Sequence, residues 1–505
     1  MVFPTFRSLV LLLALTGQAG AATLRIMQSE PPRSMDPADQ TATFTASVLD
    51  PMYEGLVRML PDGRIVPRLA LSWTTSPDGL DWRFILRPGV RFHDGTILTP
   101  TVAAQSFARL LSATSGLVGA GHYGTIIASV RPDGPALLVH LSRPYAFLLQ
   151  LLAGAQADLV SPAAARAGTL GRIPVGTGPY RFVTWKSSDY VEEERNPDYW
   201  GPRPAIDRLR WSWSPEASVM NMALRTGEID VAVPFPALFA SRLGDAPFLR
   251  LQQQPGAAIY FVALNTRLPP LNDPHVRHAL SLATDRPALV AALLHGFGEP
   301  DCGPLPPATL GCGQATPALP HDPARARALL AKAGLPHGFA LSVAVQEPEE
   351  PIAEALQAMW AQAGIRLSIR RLEAGVWVDA AFAGPAAKQQ ARLGAVITSW
   401  AAPFVPDLQL RPLFAGRSEA PAGANLGFFS DPALDQAMAD AARTLDATAR
   451  DALYRDIARR LDAAAAHISL YTPSDLVAHA SRVSGLAVLP GGELQLDQAI
   501  MTGPP

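Results

Sequence analysis

Short apolar runs alternate with amphipathic stretches along most of the chain, and this alternation predicts an α/β protein. The runs WRFIL (82–86), ALLVHL (136–141) and IYFVAL (259–264) are rich in aromatic and branched side chains, as strands are. Residues 365–369 alternate apolar and polar side chains, which indicates a half-buried strand. In the second half of the chain, the order helix, glycine, strand repeats.

Several helices are predicted from Asp-Pro pairs at their starts. Asp322-Pro323 opens a helix that stops at Gly334, and Asp431-Pro432 opens another. Asp caps free backbone N–H groups at a helix start, and Pro at the first helical position loses no hydrogen bond there. A further helix is predicted from Pro351 to about Gly364.

Length and charge narrow the protein class. A chain of 505 residues predicts two or three lobes. The 42 Lys and Arg residues nearly balance the 44 Asp and Glu residues, and no basic run appears. We therefore expect no nucleic acid among the partners.

The N-terminus has the pattern of an export signal. Arg7 precedes the apolar run LVLLLAL (9–15), and small residues follow at 19–21. We expect cleavage of residues 1–21, no lipid anchor, and a periplasmic location.

The chain has two cysteines, Cys302 and Cys312, in a segment rich in Gly and Pro. In an oxidising compartment this pair predicts a structural disulfide. A two-cysteine metal site is the alternative, although no histidine pair accompanies the cysteines at metal-finger spacing.

No motif of a common enzyme class was found. The sequence has no Gly-x-Ser-x-Gly, His-Glu-x-x-His or P-loop pattern. We therefore expect a protein that is not an enzyme and has no cofactor of its own.

Eleven segments, taken in order, resemble signatures of the bacterial extracellular solute-binding proteins of family 5, the peptide- and nickel-type binding proteins. They are YEGLV (53–57), PRLA (67–70), SW (72–73), WRF (82–84), RFHDG (91–95), GTGPY (176–180), NPDYWG (196–201), GEID (227–230), NT (265–266), VRHAL (276–280) and DR (285–286). Each segment alone is weak, but their combined order is specific.

The resemblance implies the fold of a two-lobed periplasmic binding protein of the large, three-subdomain class. Lobe I would comprise residues 22–263, with 46–174 as an extra subdomain, and residues 472–505 would return to it. Lobe II would comprise residues 264–471. A small ligand would bind in the cleft between the lobes, with hinges near Asn265 and Tyr471, and a monomer would deliver it to an ABC permease.

The segment SWAAPFVPD (399–407) bears on the ligand. In the peptide-binding branch, the third residue after this Trp is an Asp that pairs with the amino terminus of the peptide. Pro403 occupies that position here and has neither a charge nor a backbone N–H. The pattern Trp-x-x-Pro-Phe and the segment ALYRDI (452–457) resemble the nickel-chelate and metallophore branch instead.

Five residues are candidates for the pocket on this resemblance: Trp400, Phe404, Trp377, Tyr123 and His122. The aromatic rings would supply stacking area, and His122 is the one candidate for direct contact with a metal carried by the ligand. Two features depart from the nickel branch. An arginine that grips the chelator there falls near Ala155 here, and residues 116–123 contain no arginine.

Three functions remain open on sequence alone. The first is importer binding of a metal chelate, a metallophore or a modified peptide. The second is binding of ordinary di- or oligopeptides, and the third is a periplasmic sensor or chaperone with the same fold.

Overall fold

The computed structural model describes residues 22–301, 303–307, 309, 320–402 and 405–503. The predicted signal segment, Cys302, Cys312, Pro403 and Phe404 lie outside these residues. The predicted disulfide therefore stays a prediction.

Within the described residues the strands are numbered β1–β23 in chain order. They are Thr23–Gln28, Val57–Met59, Ile65–Pro67, Ala70–Thr75, Asp81–Leu86, Ile127–Asp133, Ala136–Leu141, Tyr180–Lys186, Tyr190–Arg195, Arg208–Trp213, Val231–Val233, Leu249–Gln254, Ala258–Leu264, Gly298–Pro300, Ala340–Val345, Arg366–Arg371, Ala395–Ala401, His467–Pro473, Asp475–Ala480, Val483–Ser484, Ala487–Val488, Leu494–Gln495 and Ile500–Met501.

The α-helices of the same residues are numbered α1–α16. They are Thr43–Leu49, Pro100–Leu111, Ala120–Tyr123, Leu148–Leu152, Pro162–Ala167, Ala217–Thr226, Ala237–Ala240, Pro274–Leu282, Arg286–Leu294, Pro323–Lys332, Glu350–Ala361, Ala374–Ala381, Pro385–Gln390, Pro406–Phe414, Pro432–Arg443 and Ala447–Ala463.

Three larger sheets organise these elements. The sheet of the first lobe has the order β12-β19-β11-β1-β10-β9-β8, and that of the second lobe has the order β14-β18-β13-β17-β15-β16. A third sheet, β4-β5-β7-β6, forms a subdomain that the chain completes before it returns to the first lobe. The predicted α/β, two-lobed fold is confirmed.

The strands and helix starts predicted from the sequence can be compared with the structure one by one. Strands β5, β7 and β13 cover three of the predicted runs, and β16 begins at Arg366, the second residue of the fourth. The carboxylate of Asp322 accepts a hydrogen bond from the backbone N–H of Arg325 at 2.8 Å. That of Asp431 accepts one from Ala433 at 2.9 Å. Both predicted helix starts are therefore capped by the side chain that precedes the proline.

The chain crosses between the lobes at other residues than the sequence suggested. Strand β13, whose residues 258–263 were assigned to lobe I, pairs with β17 and β18 of the second sheet. The first crossing is thus the segment Pro255-Gly256-Ala257, where a proline and a glycine interrupt the strands. The return follows Pro473, at the end of β18, and not Tyr471.

The two crossings lie against each other. A Cβ atom on Gly256 would stand 2.0 Å from the carbonyl oxygen of Pro473. The side-chain amide of Gln253 also donates a hydrogen bond to the hydroxyl of Ser474 at 2.9 Å. Only glycine fits at position 256 while the crossings stay this close.

The subdomain also packs on the second lobe. The backbone N–H of Ala146 donates to the carbonyl of Ala442 at 2.8 Å. The ring of Phe147 lies 5.8 Å from that of Tyr454, and the guanidinium of Arg450 lies 5.0 Å from the Phe147 ring. The lobes therefore meet at the crossings and again at α15 and α16.

Among the described helices, none is both long and apolar enough to span a membrane.

We predict that Gly256→Ala destabilises the protein by about 1–3 kcal/mol, because the added methyl group forces the crossings apart. The free energy of unfolding in urea measures this effect. Gly244→Ala is the matched control, since nothing lies within 4 Å of the added methyl group there. The control should be neutral or stabilise by up to about 1 kcal/mol. Equal effects at the two sites would contradict the close approach of the crossings.

Candidate ligand site between the two lobes

The carboxyl ends of the parallel strands in both sheets face the space between the lobes. Strands β10 and β11 run parallel to β1, and β16 and β17 run parallel to β15. Antiparallel pairing places the start of β13, Ala258, beside Ala401 at the end of β17. Ligands of open α/β sheets bind outside such edges.

A cavity of about 490 Å³ lies at this place, a volume within the usual range of small-molecule pockets. Both lobes line it. The lining residues are Gln40, Thr41, Ala42, Thr43, Ala46, Tyr123, Gly154, Ala155, Gln156, Ala257, Ala258, Ala401, Pro473, Asp475, Gly491 and Glu493.

The two walls of the cavity differ in chemistry. The crossings and the second lobe contribute small apolar residues, namely Ala257, Ala258, Ala401 and Pro473. The first lobe contributes hydroxyl, amide and carboxylate groups. No Lys, Arg or His occurs among the described residues that line the cavity. Ala155, which the resemblance aligned with a chelator-binding arginine, lines it with a methyl group.

Asp475 begins β19, just after the return crossing. Its carboxylate accepts a hydrogen bond from the backbone N–H of Gly491 at 2.7 Å, which fixes its position in the wall. Burial raises the pKa of Asp475 to about 6, although the N–H groups of Gly491 and Gly492 act in the opposite direction.

Glu493 follows in the turn between β21 and β22, beside a buried group of charges. An adjoining cavity of about 30 Å³ is lined by Glu493, Asp50, Asp158 and Arg58, among others. Burial, and then repulsion from Asp50, raise the pKa of Glu493, whereas Arg58 lowers it. Arg58 itself lies 2.6 Å from Asp497 and 3.7 Å from Asp50, so these two carboxylates share its charge.

Glu54 lies at the far side of the same charged group. Unlike Glu493, it has an ion-pair partner and several hydrogen-bond donors. Its carboxylate pairs with Arg68 at 2.7 Å. It also accepts hydrogen bonds from Thr177 at 2.7 Å, Tyr199 at 3.0 Å and Trp200 at 2.8 Å. Glu54 is therefore a structural carboxylate, held by four donors.

Tyr123 is the one described residue of the five predicted for the pocket that lines the cavity. It is buried, and its hydroxyl donates to the carbonyl of Leu151 at 2.9 Å. Trp400 is half-buried and donates its indole N–H to Leu408 at 3.0 Å, while the next residue, Ala401, lines the cavity.

The other predicted residues lie elsewhere. Trp377 is buried in α12, and its indole N–H has no partner among the described residues. His122 keeps an accessible ring outside the lining of the cavity. Partial desolvation lowers its pKa, and Asp407 opposes this. Phe404 lies outside the described residues, so ligand contacts of these side chains stay predictions.

Sequence reasoning missed the polar wall formed by Gln40, Asp475 and Glu493. Only weak sequence signals point to these residues. Asp475 stands two residues after Pro473, and Glu493 follows a Pro-Gly-Gly turn. No described group of three or more His, Cys, Asp or Glu residues is arranged to hold a metal ion.

A second cavity, of about 560 Å³, opens on the outer strands of the first sheet. Its lining includes Arg181, Glu194 and Arg208, and it takes no residue from the second lobe. It therefore lacks the position between lobes that pockets of two-lobed proteins share.

We predict opposite stability effects for two Glu→Gln substitutions. Glu493→Gln should raise the free energy of unfolding at pH 7 by about 1 kcal/mol or more, because it removes a carboxylate that burial disfavours. Glu54→Gln should lower it by more than about 2 kcal/mol, because four donors would lose their charged acceptor.

The pH dependence checks the cause in Glu493→Gln. The pKa of Glu493 is raised in the folded state, so the stability penalty is absent at low pH, where the carboxyl is protonated in both states. The gain of the variant should therefore be small near pH 4 and grow as the pH rises. Urea unfolding at several pH values measures this, and a gain independent of pH would contradict the assignment.

Comparison with known proteins agrees with this architecture. Residues 64–420 match the family model described as "Bacterial extracellular solute-binding proteins, family 5 Middle". The glutathione-binding protein GsiB of Pectobacterium atrosepticum is 30% identical over 476 residues, which cover 93% of this chain and 92% of GsiB.

Two solved structures are also similar. HbpA2 from Haemophilus parasuis has a TM-score of 0.84 at 26% identity, covering 95% of this chain and all of HbpA2. The periplasmic binding protein DppA from Helicobacter pylori, solved with a bound peptide, has a TM-score of 0.77 at 25% identity, covering 94% of this chain and 98% of DppA. The chain thus belongs to family 5 of the bacterial extracellular solute-binding proteins, the periplasmic substrate-binding proteins of ABC transporters.

Proposed function

We propose that this protein captures a small modified peptide between its lobes and delivers it to an ABC permease in the inner membrane. The observation that carries the proposal is the cavity between the lobes, at the carboxyl ends of both sheets. Its volume of about 490 Å³ suits a small ligand more than a long chain. The similarity to glutathione-binding proteins supports a γ-linked or otherwise modified tripeptide.

Ordinary di- or oligopeptides are the second candidate. The similarity to the peptide-bound DppA favours them. Pro403 disfavours them, since it offers no charge at the position where the peptide-binding branch has its Asp. A metal chelate with several carboxylates receives less support, because the described lining of the cavity offers them no cationic side chain.

The capture step is a closure of the lobes about the paired crossings at Gly256 and Pro473. A ligand that contacts both walls binds the closed form more tightly and shifts the population toward it. The hydrogen bond from Ala146 to Ala442 joins the subdomain to the second lobe away from the crossings. The closed form then docks on the permease.

The predicted export signal bears on where the protein acts. We propose that residues 1–21 are removed and that the mature monomer acts in the periplasm. A sensor or chaperone role would use the same closure without a permease, so loss of ligand uptake on deletion of the gene separates the importer from these alternatives.

The test is binding of reduced glutathione to mature protein, measured by calorimetry and by small-angle X-ray scattering. We expect saturable binding and a smaller radius of gyration with the ligand. Ala401→Trp should abolish both, because the indole fills the cavity from its apolar wall. Ala324→Trp, at an exposed site on α10 of the same lobe, should change neither.

Native mass spectrometry of protein purified from a periplasm identifies the ligand class independently. A single modified peptide would support the proposal. A ladder of peptide masses would move the assignment to ordinary peptides, and a stoichiometric metal would move it to chelates. Binding without compaction would contradict the closure.

A further inference from the structure

The polar wall of the interlobe cavity contains two carboxylates, those of Asp475 and Glu493. Asp475 and Glu493 both face it, and neither forms an ion pair with any described residue. The nearby Arg58 and Arg68 are engaged by Asp497 and Glu54. A half-buried carboxylate without a cationic partner is unfavourable in its ionised form, and either protonation or a cationic ligand removes that penalty.

Buried amide oxygens give an independent sign of a missing donor. Gln40 lines the cavity with 6% of its surface exposed, and its Oε1 has no hydrogen-bond partner within the described structure. Gln28 is fully buried and its Oε1 is likewise without a partner. It lines a side cavity of about 210 Å³ that shares Asp475 with the main one. Buried polar groups are rarely left unpaired, so such atoms indicate an absent donor.

The position of Asp475 is fixed before any ligand arrives. Its carboxylate is held by the N–H of Gly491 in the turn that also carries Glu493. That turn is anchored to α1, since the N–H of Leu494 donates to the hydroxyl of Ser47 at 3.1 Å. Hydrogen bonds thus join the start of β19, the turn that carries Glu493 and helix α1 within the first lobe.

We propose that Asp475 and Glu493, with Gln40, bind the protonated amino group of the ligand, so that the first lobe selects for a cationic end. This deepens the proposed function and rests on the interlobe cavity as its site. The second lobe offers alanines at the opposite wall and contributes no charge from its described residues. Pro403 of the second lobe has no charge with which to bind an amino group. In this proposal, Asp475 and Glu493 of the first lobe bind it instead.

Proton linkage follows from the surroundings of the two carboxylates. Asp475 faces the N–H groups of Gly491 and Gly492, and its pKa is raised to about 6 by burial. Glu493 faces Asp50, Asp158 and Arg58, with Glu54 and Arg68 further along the adjoining cavity. The pKa of Glu493 is raised further, to about 8. Since only ionised carboxylates pair with an ammonium, affinity should begin to fall as the pH drops below about 8 and fall further below about 6.

The test compares amines with their acetylated forms. The probes are glutathione, Ala-Ala and Ala-Ala-Ala, each with a free amino group and each N-acetylated, titrated by calorimetry at pH 7.5. We expect acetylation to weaken binding at least about 10-fold, and Asp475→Asn and Glu493→Gln to weaken binding of the free amines at least about 10-fold. Asp189→Asn removes an exposed charge from the β8–β9 turn and should have no effect.

The outcomes separate this inference from the proposed function. Equal binding of free and acetylated probes, or unchanged binding in both variants, overturns the inference while peptide capture stands. If none of these peptides binds, peptide capture fails, and the same variants are titrated with putrescine, spermidine and choline. Binding of one of these cations that is lost in Asp475→Asn supports the inference. Absence of binding for all of them overturns it.

Discussion

The contact between the two chain crossings is the constraint on which the site depends. The missing side chain of Gly256 allows the carbonyl of Pro473 to approach, so the chain leaves and re-enters the first lobe at one place. The carboxyl ends of the parallel strands in both sheets face the space between the lobes. The paired crossings therefore lie at the back of the cavity, where Ala257 and Pro473 line it. The closure proposed above would turn the lobes about these crossings.

The carboxylates near the cavity fall into two kinds, which differ in their partners. Glu54 has an arginine and three further donors, and Asp497 has two arginines, so their burial is compensated. Asp475 has only backbone N–H groups, and Glu493 faces another acid. Charges held in an unfavourable place are typical of functional sites, where stability is given up for binding.

Sequence reasoning found the fold because local chemistry and chain order both pointed to it. Asp322 and Asp431 precede prolines and cap helices, and the branched and aromatic side chains from Ile259 to Leu264 favour a buried strand. It placed the crossing too late because a continuous apolar run does not tell which sheet it joins. That choice is made by pairing with β17 and β18, far away in the chain.

The cavity was harder to predict for a related reason. Trp400 and Trp377 stand out in the sequence, yet the indole of Trp400 is bound to Leu408 and Trp377 is buried in α12. Aromatic side chains of a large protein mostly pack in cores. Asp475 and Glu493 come from a strand start and a turn near the C-terminus, and only folding brings them beside Gln40.

The distribution of charge on the two walls also bears on how closure is coupled to the ligand. In the proposed closure, water would solvate Asp475 and Glu493 in the open cleft, and closing would bring apolar residues such as Ala401 opposite them and remove that water. The empty closed form is then penalised by the desolvation of its own carboxylates. A bound ammonium removes this penalty and gains strength as water leaves. The same two side chains would thus disfavour closure without a ligand and favour it with one, which is the differential interaction that a population shift requires.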